Sequence, residues 1–304
     1  MSKLLRAGGR RYLHSFVFWL GIIATAVLGV ISGFNARHYY LEDFYIMLEF
    51  MVFAVVISWL VGREYGEGIF RNKVICGHTK GQIFLSELLL GLCAAGAMFL
   101  IYAGIFTAFN SYVFGVIDTS VLVRVFADML LVNLCFAALL VTIACLLPNR
   151  FVVMAANILV AFGLCFGACH IEEALAQEEY TIEYEWIYGG DTTDGGHYRT
   201  PIPGTEHKVK NPSYVGGTPR VILTTVYRIV PYGHVVEYRD MSNNWFRYLD
   251  KNGNVRPSWE TSASNFELTK EENTDLSLNL IYSFGTMSVI SAVGYLCFRK
   301  KELK

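Results

Sequence analysis

The side chains able to do chemistry in this chain are few and scattered. Cys165, Cys169 and His170 share one helical face and could ligate a soft metal, although small apolar packing near a helix end is the commoner use of such cysteines. His170-Ile171-Glu172-Glu173 resembles only the start of H-E-x-x-H. Gly66-Glu67-Gly68 and Gly77-His78-Thr79-Lys80-Gly81 lack the spacing of the phosphate loop G-x-x-x-x-G-K-[ST], and there is no G-x-S-x-G elbow. An enzyme acting alone is therefore not expected, and no catalytic residue, bound cofactor or resident metal is assigned. The remaining ionisable groups of interest lie inside apolar runs, where a charge must pair or meet water. Glu49 has no obvious local partner and either hydrogen-bonds within a helix bundle or lines a pathway. Arg124 and Asp128 are spaced i, i+4 and can neutralise each other, whereas Glu87 sits one turn inside its run, within reach of water.

Those apolar runs set the class. Of 304 residues, 54% are hydrophobic and 17% charged, and the mean hydropathy is +0.39. A soluble domain of this size needs more polar surface. Six stretches reach the roughly 20 residues a bilayer demands: Leu13–Phe34, Phe44–Val61, Ile83–Phe109, Val121–Leu147, Phe151–Cys169 and Leu276–Phe298. Basic residues flank the N-terminus, the 62–82 segment, Arg150 and the terminal Arg299-Lys300-Lys301, while Asn35–Asp43 holds only Arg37 and Asn110–Ser120 holds none. The positive-inside bias then places both termini in the cytoplasm. Residues 1–12 read as a basic elbow helix at the inner interface, 13–170 as the first five spans, 276–298 as the sixth, and 299–304 as a basic tail. The fold class expected is an all-α membrane protein with six transmembrane helices and an α+β extracellular domain between helices 5 and 6.

That domain, residues 171–275, carries 17 acidic and 10 basic side chains and no cysteine. Ile171–Glu179 extends the fifth span, Tyr180–Tyr188 reads as a strand, and Gly189–Gly217 as loop. Thr218-Pro219 starts a helix over Val221–Val230, which Pro231-Tyr232-Gly233 stops. Trp245–Leu249 and Val255–Trp259 read as a hairpin around Asn252-Gly253. The block is either a cap over the spans or an outer gate, with Pro231, Tyr232 and Gly233 at its return.

Between the second and third spans lies REYGEGIFRNKVICGHTKGQIFLSELL, which contains no proline. Arg63/Glu67 and Glu67/Arg71 are i, i+4 pairs, and Ile69, Phe70, Val74 and Ile75 add apolar contacts. The pattern predicts one amphipathic helix over about 63–82, able to enter a groove on a partner or to cap the bundle.

This stretch resembles the corresponding one in bacterial ABC-transporter permeases of the type-2 exporter class, through Glu64, Gly68, Arg71, Asn72, Lys73, Gly77, Thr79, Lys80, Ile83, Phe84, Leu85 and Ser86. The basic elbow, six spans, Pro231–Gly233 before the last span and the ending FRKKELK are similar too. The resemblance implies a permease that dimerises and binds two cytoplasmic ATPase subunits, which supply ATP and Mg. Arg63, Glu64, Glu67, Gly68, Arg71, Asn72, Lys73, Gly77, His78, Thr79 and Lys80 would then form the ATPase-coupling segment. The sizeable outer block is similar to that of exporters of antimicrobial or toxin peptides, including phenol-soluble-modulin exporters. It implies amphipathic peptide cargo, membrane lipid as surroundings, the bacterial plasma membrane as location and no nucleic-acid partner. Export of lipid or drug, or antimicrobial sensing without translocation, are the alternatives.

Overall fold

The computed structural model describes residues 1–35, 43–114, 119–183, 186–188, 199–201, 205–237 and 270–302. The helices are α1 (Ser2–Leu13), α2 (Phe16–Asn35), α3 (Asp43–Gly66), α4 (Ile69–Ile75), α5 (Lys80–Phe114), α6 (Thr119–Leu146), α7 (Arg150–Leu175), α8 (Gly217–Ile229), α9 (residues 231–237) and α10 (Lys270–Lys300). Four short strands lie between α7 and α8: β1 (Tyr180–Glu183), β2 (Trp186–Tyr188), β3 (Arg199–Pro201) and β4 (His207–Lys210). Among the described residues, six helices are long and apolar enough to cross a membrane: α2, α3, α5, α6, α7 and α10. They match the six runs expected, with ends moved by a few residues. The chain divides into two compact units, Met1–Ala168 with Arg228–Lys304, and Cys169–Tyr227.

In the first unit α2 packs on α5 and α3, while α6 packs on α3, α5 and α10. Small residues set the closest approaches. A Cβ placed on Gly29 of α2 would lie 3.0 Å from the Tyr102 carbonyl oxygen of α5, and one on Gly33 would lie 2.7 Å from Phe109 Cβ. The Gly29/Gly33 spacing thus packs helix on helix. The second such pair, Gly163 and Gly167 on α7, has nothing within 4 Å. The interior is aromatic and alanine-rich: Phe50 stacks on Phe136 at 4.2 Å, with Phe53, Ala137, Ala138 and Leu140 fully buried around them. Several polar side chains inside the spans bond to backbone or to each other. Asn157 of α7 donates to Ser58 Oγ of α3 at 2.8 Å and to the Leu140 carbonyl of α6 at 3.3 Å, and Tyr102 donates to Ser32 at 3.1 Å.

The second unit is an antiparallel ribbon followed by most of α8. Tyr180 pairs with Lys210 and Glu183 with His207, then Trp186 with Pro201 and Tyr188 with Arg199. The strand Tyr180–Tyr188 expected from alternation is thus β1 and β2, and part of the segment expected to be loop is β3 and β4. Both faces of β1 and β4 are exposed, so no apolar alternation was needed on the returning strand. Asn211 ties the base of the ribbon: its N–H donates to Glu179 O at 2.9 Å and its amide to Gln177 Oε1 at 3.0 Å. Arg220 of α8 lies over the Tyr214 ring and donates to the Leu175 carbonyl at 2.8 Å, capping the end of α7. The hairpin expected at Trp245–Leu249 and Val255–Trp259 lies outside the described residues. Pro231 does end α8 but also opens α9, its fixed φ suiting a first helical turn.

The glycine contacts carry an expected outcome. Gly29→Leu drives a side chain into the backbone of Tyr102 and lowers stability by about 1–3 kcal/mol, whereas Gly163→Leu changes it by less than about 0.5 kcal/mol. Thermal unfolding of the two variants in detergent separates them.

Candidate functional site

The segment 63–82, expected as one helix, is cut into three pieces. α3 ends at Gly66, and Gly68 takes a positive φ of 69° that turns the chain into α4. The far end of α4 is closed by a Schellman motif: His78 N–H donates to Lys73 O at 3.1 Å and Gly77 N–H to Val74 O at 2.9 Å, with Gly77 at φ 87°. A capping box then opens α5. Gln82 N–H donates to Thr79 Oγ1, and Thr79 N–H to Gln82 Oε1, each at 3.3 Å. Gly68, Gly77 and Thr79 are therefore the punctuation that isolates a two-turn helix between two spans.

The inner face of α4 presents Lys73, which joins both spans. Its Nζ donates to Glu64 Oε2 of α3 and to Glu87 Oε1 of α5, each at 2.5 Å. Glu64 is also paired with Arg11 of α1. Glu64 is 3% exposed and Glu87 fully buried. The solvated Glu87 expected from its place near a span end is overturned, because α4 folds back and lays Lys73 over it. Tyr12 of α1 is buried in the same cluster, where burial and the facing Glu87 and Glu64 carboxylates push its phenol well above the ordinary range. The tail of α10 adds a further tie. Lys301 Nζ donates to Leu146 O at 2.6 Å, at the end of α6, and lies over the Tyr65 ring, while Lys80 Nζ donates to Lys301 O at 2.5 Å.

The outer face of α4 is open. Arg71, Asn72, Val74 and Ile75 are exposed, Ile75 by 72%. Arg63 and Glu67 pair at 2.6 Å at the end of α3, both about half exposed, and His78 is partly exposed. Of the eleven residues singled out in this segment, the structure thus turns Glu64 and Lys73 inward, uses the glycines and Thr79 for turns, and leaves Arg63, Glu67, Arg71 and Asn72 on the surface.

The intramembrane groups are placed differently. Glu49 is fully buried, and neither carboxylate oxygen has a hydrogen-bond partner among the described residues. Arg124 is exposed, but Asp128 is buried facing His234 Nδ1 of α9 at 3.5 Å and Ser283 of α10 at 3.5 Å. His234 Nδ1 also meets Ser283 Oγ at 3.1 Å, and its Nε2 donates to the Arg228 carbonyl at 2.8 Å. Asn279 of α10 donates to Glu237 at 2.8 Å. Tyr232, between Pro231 and Gly233, is buried edge-on to Phe50 at 5.9 Å. Pro231, Tyr232 and Gly233, named as a possible outer gate, open α9, which latches onto α6 and α10 through His234 and Glu237. His234, Ser283, Asn279 and Glu237 had no local signal, since their partners lie far along the chain. His170 is exposed beside Glu173 at 3.6 Å, and among the described residues no three His, Cys, Asp or Glu side chains gather as a metal requires.

Two outcomes follow. Lys73→Met leaves two buried carboxylates without that cation and costs about 3–5 kcal/mol, most of it recovered in a Glu64→Gln, Glu87→Gln background; denaturant titration of the four proteins checks this. For His234, burial lowers the proton affinity, but the hydrogen bond and charge of Asp128 outweigh it and hold the pKa above 6.5. The native state then binds the proton more tightly than the unfolded one. The latch contributes fully below pH 6.5 and is lost as pH rises through the raised value. Melting temperature against pH shows this decline, and His234→Gln flattens it.

Neither a protein-family model, nor a curated protein, nor a solved structure matches the chain. Its six long apolar helices make it a multi-pass helical membrane protein, an architecture consistent with a transporter or permease.

Proposed function

We propose that the chain is the membrane subunit of an ATP-driven exporter of the ABC type-2 class. The observation that carries this reading is α4. It is a short helix closed at both ends, bound on one face to both adjacent spans through Lys73, and offering Arg71, Asn72, Val74 and Ile75 on the other. Two cytoplasmic ATPase subunits seat this outer face, and their ATP- and Mg-dependent closure displaces α4. The displacement passes through Lys73 to Glu64 on α3 and Glu87 on α5, so both spans move together. Coupling in this sense is a difference in contact energy between two arrangements of connected helices.

A second permease chain completes the translocator, in the bacterial plasma membrane. The basic flanks of 1–12, 62–82 and 299–304 support a cytoplasmic α4, and with it residues 171–275 on the outer side. The many aromatic side chains and few buried charges suit an amphipathic peptide cargo.

Ile75→Asp places a charge in the apolar centre of the proposed contact, and Glu67→Ala with Arg71→Ala removes its polar rim. The wild-type chain should co-purify with an ATPase. Ile75→Asp should abolish that association, and the Glu67/Arg71 pair should leave ATP hydrolysis running without transport in proteoliposomes. Intact association and coupling in both variants would refute the docking face. ATPase activity unmoved by amphipathic peptides, yet moved by lipid or drug, would replace the cargo.

A further inference from the structure

Arg150 opens α7 at the end of a span, and its surroundings are unusual. Its guanidinium lies 5.1 Å from the Trp59 ring centre on α3 and 4.9 Å from that of Phe151. Gly62 permits this approach, because a Cβ there would lie 3.2 Å from Arg150 Cα. The two aromatic contacts hold the guanidinium in place. Yet among the described residues it makes no ion pair and no side-chain hydrogen bond, although it is only partly exposed. An arginine fixed by stacking with its donor fork unused is poised for a planar or tetrahedral oxyanion.

Arg150 lines a cavity of about 490 Å³ whose other polar side chains are Arg63, Glu67 and Asn149. Glu67 is occupied by Arg63 at 2.6 Å, and Asn149 Oδ1 is occupied by the Phe151 N–H at 2.9 Å. The net charge of the cavity is therefore positive, and the first turn of a 26-residue helix adds to it. A neighbouring cavity of about 260 Å³ shares Arg63 and Glu67 and adds Arg11, His14 and Glu64, so its charges balance.

Position decides what anion this is. α3 ends at Gly66 and α7 begins at Arg150, both at the ends of candidate membrane spans. The cavity sits where spans leave the hydrocarbon, at headgroup depth. Directly beside it, Phe151 and Val152 are 57% and 50% exposed and form an apolar flank suited to acyl chains. We propose that the Arg150 cavity is a binding site for an anionic phospholipid, its phosphate held by the Arg150 fork with Arg63 alongside and its chains lying along α7. This needs only the membrane-spanning assignment and holds whether or not the chain is a permease.

The test is native mass spectrometry of the full-length chain released from detergent, titrated with phosphatidylglycerol, phosphatidylcholine or inorganic phosphate. The wild type should retain phosphatidylglycerol over the other two, and Arg150→Gln should bind it about tenfold more weakly. Lys208→Gln, a charge removed from the ribbon, should bind as the wild type does. If Arg150→Gln does not fold, Arg150→Lys keeps the charge but loses the fork and stacking, and should still be severalfold weaker. Undiminished phosphatidylglycerol binding in the folded Arg150 variant overturns the site. Equal retention of phosphatidylcholine, or of inorganic phosphate, overturns the anionic lipid as its ligand.

Discussion

The bundle's polar end depends on Lys73 standing between two buried carboxylates, Glu64, which Arg11 also pairs, and Glu87. An isolated carboxylate in an apolar interior costs far more than a helix turn can return. Glu64 and Glu87 sit on different spans, so their shared cation fixes the distance between α3 and α5 at that end. Arg11 draws α1 into the same cluster through Glu64, and the Lys80–Lys301 and Lys301–Leu146 contacts draw in the ends of α10 and α6. This short helix is thereby held by charge as well as by the burial of Phe70, which meets Tyr65 and Phe298 edge-on.

At the other end of the same unit, the logic is polar but less charged. α9 returns the chain to the bundle and seats Tyr232 against Phe50, while His234 bridges Asp128 and Ser283. The two clusters together bracket an interior of stacked phenylalanines and alanines. Glu49 stands apart within it, a carboxyl with no hydrogen-bond partner among the described residues.

The spans were legible because about 20 apolar residues in a row have few other uses. The helix breaks inside 63–82 were legible too, in Gly77 and in Thr79 with Gln82, but the charge spacing argued for continuity. Arg63 and Glu67 form their i, i+4 pair where α3 ends, whereas Glu67 and Arg71 lie on either side of Gly68. The inner cluster was not legible. Lys73 meets Glu64 and Glu87 at separations of 9 and 14 residues, and no periodic rule joins residues across two breaks. The returning strands β3 and β4 escaped notice for a different reason: a strand exposed on both faces, as β4 is, leaves no apolar alternation to find.

The capping of α4 has a consequence for how this segment can change over time. Closed by Gly68 before it and by Gly77 with the Thr79–Gln82 box after it, α4 cannot borrow a turn from either span. A single inserted or deleted residue within it would rotate Lys73 by about 100° relative to the open face. Both carboxylates would then lose Lys73 at once, leaving Glu64 with Arg11. The length of this helix is therefore far less free to drift than its exposed side chains, and substitutions can retune the surface while the seven-residue span between its stops stays constant.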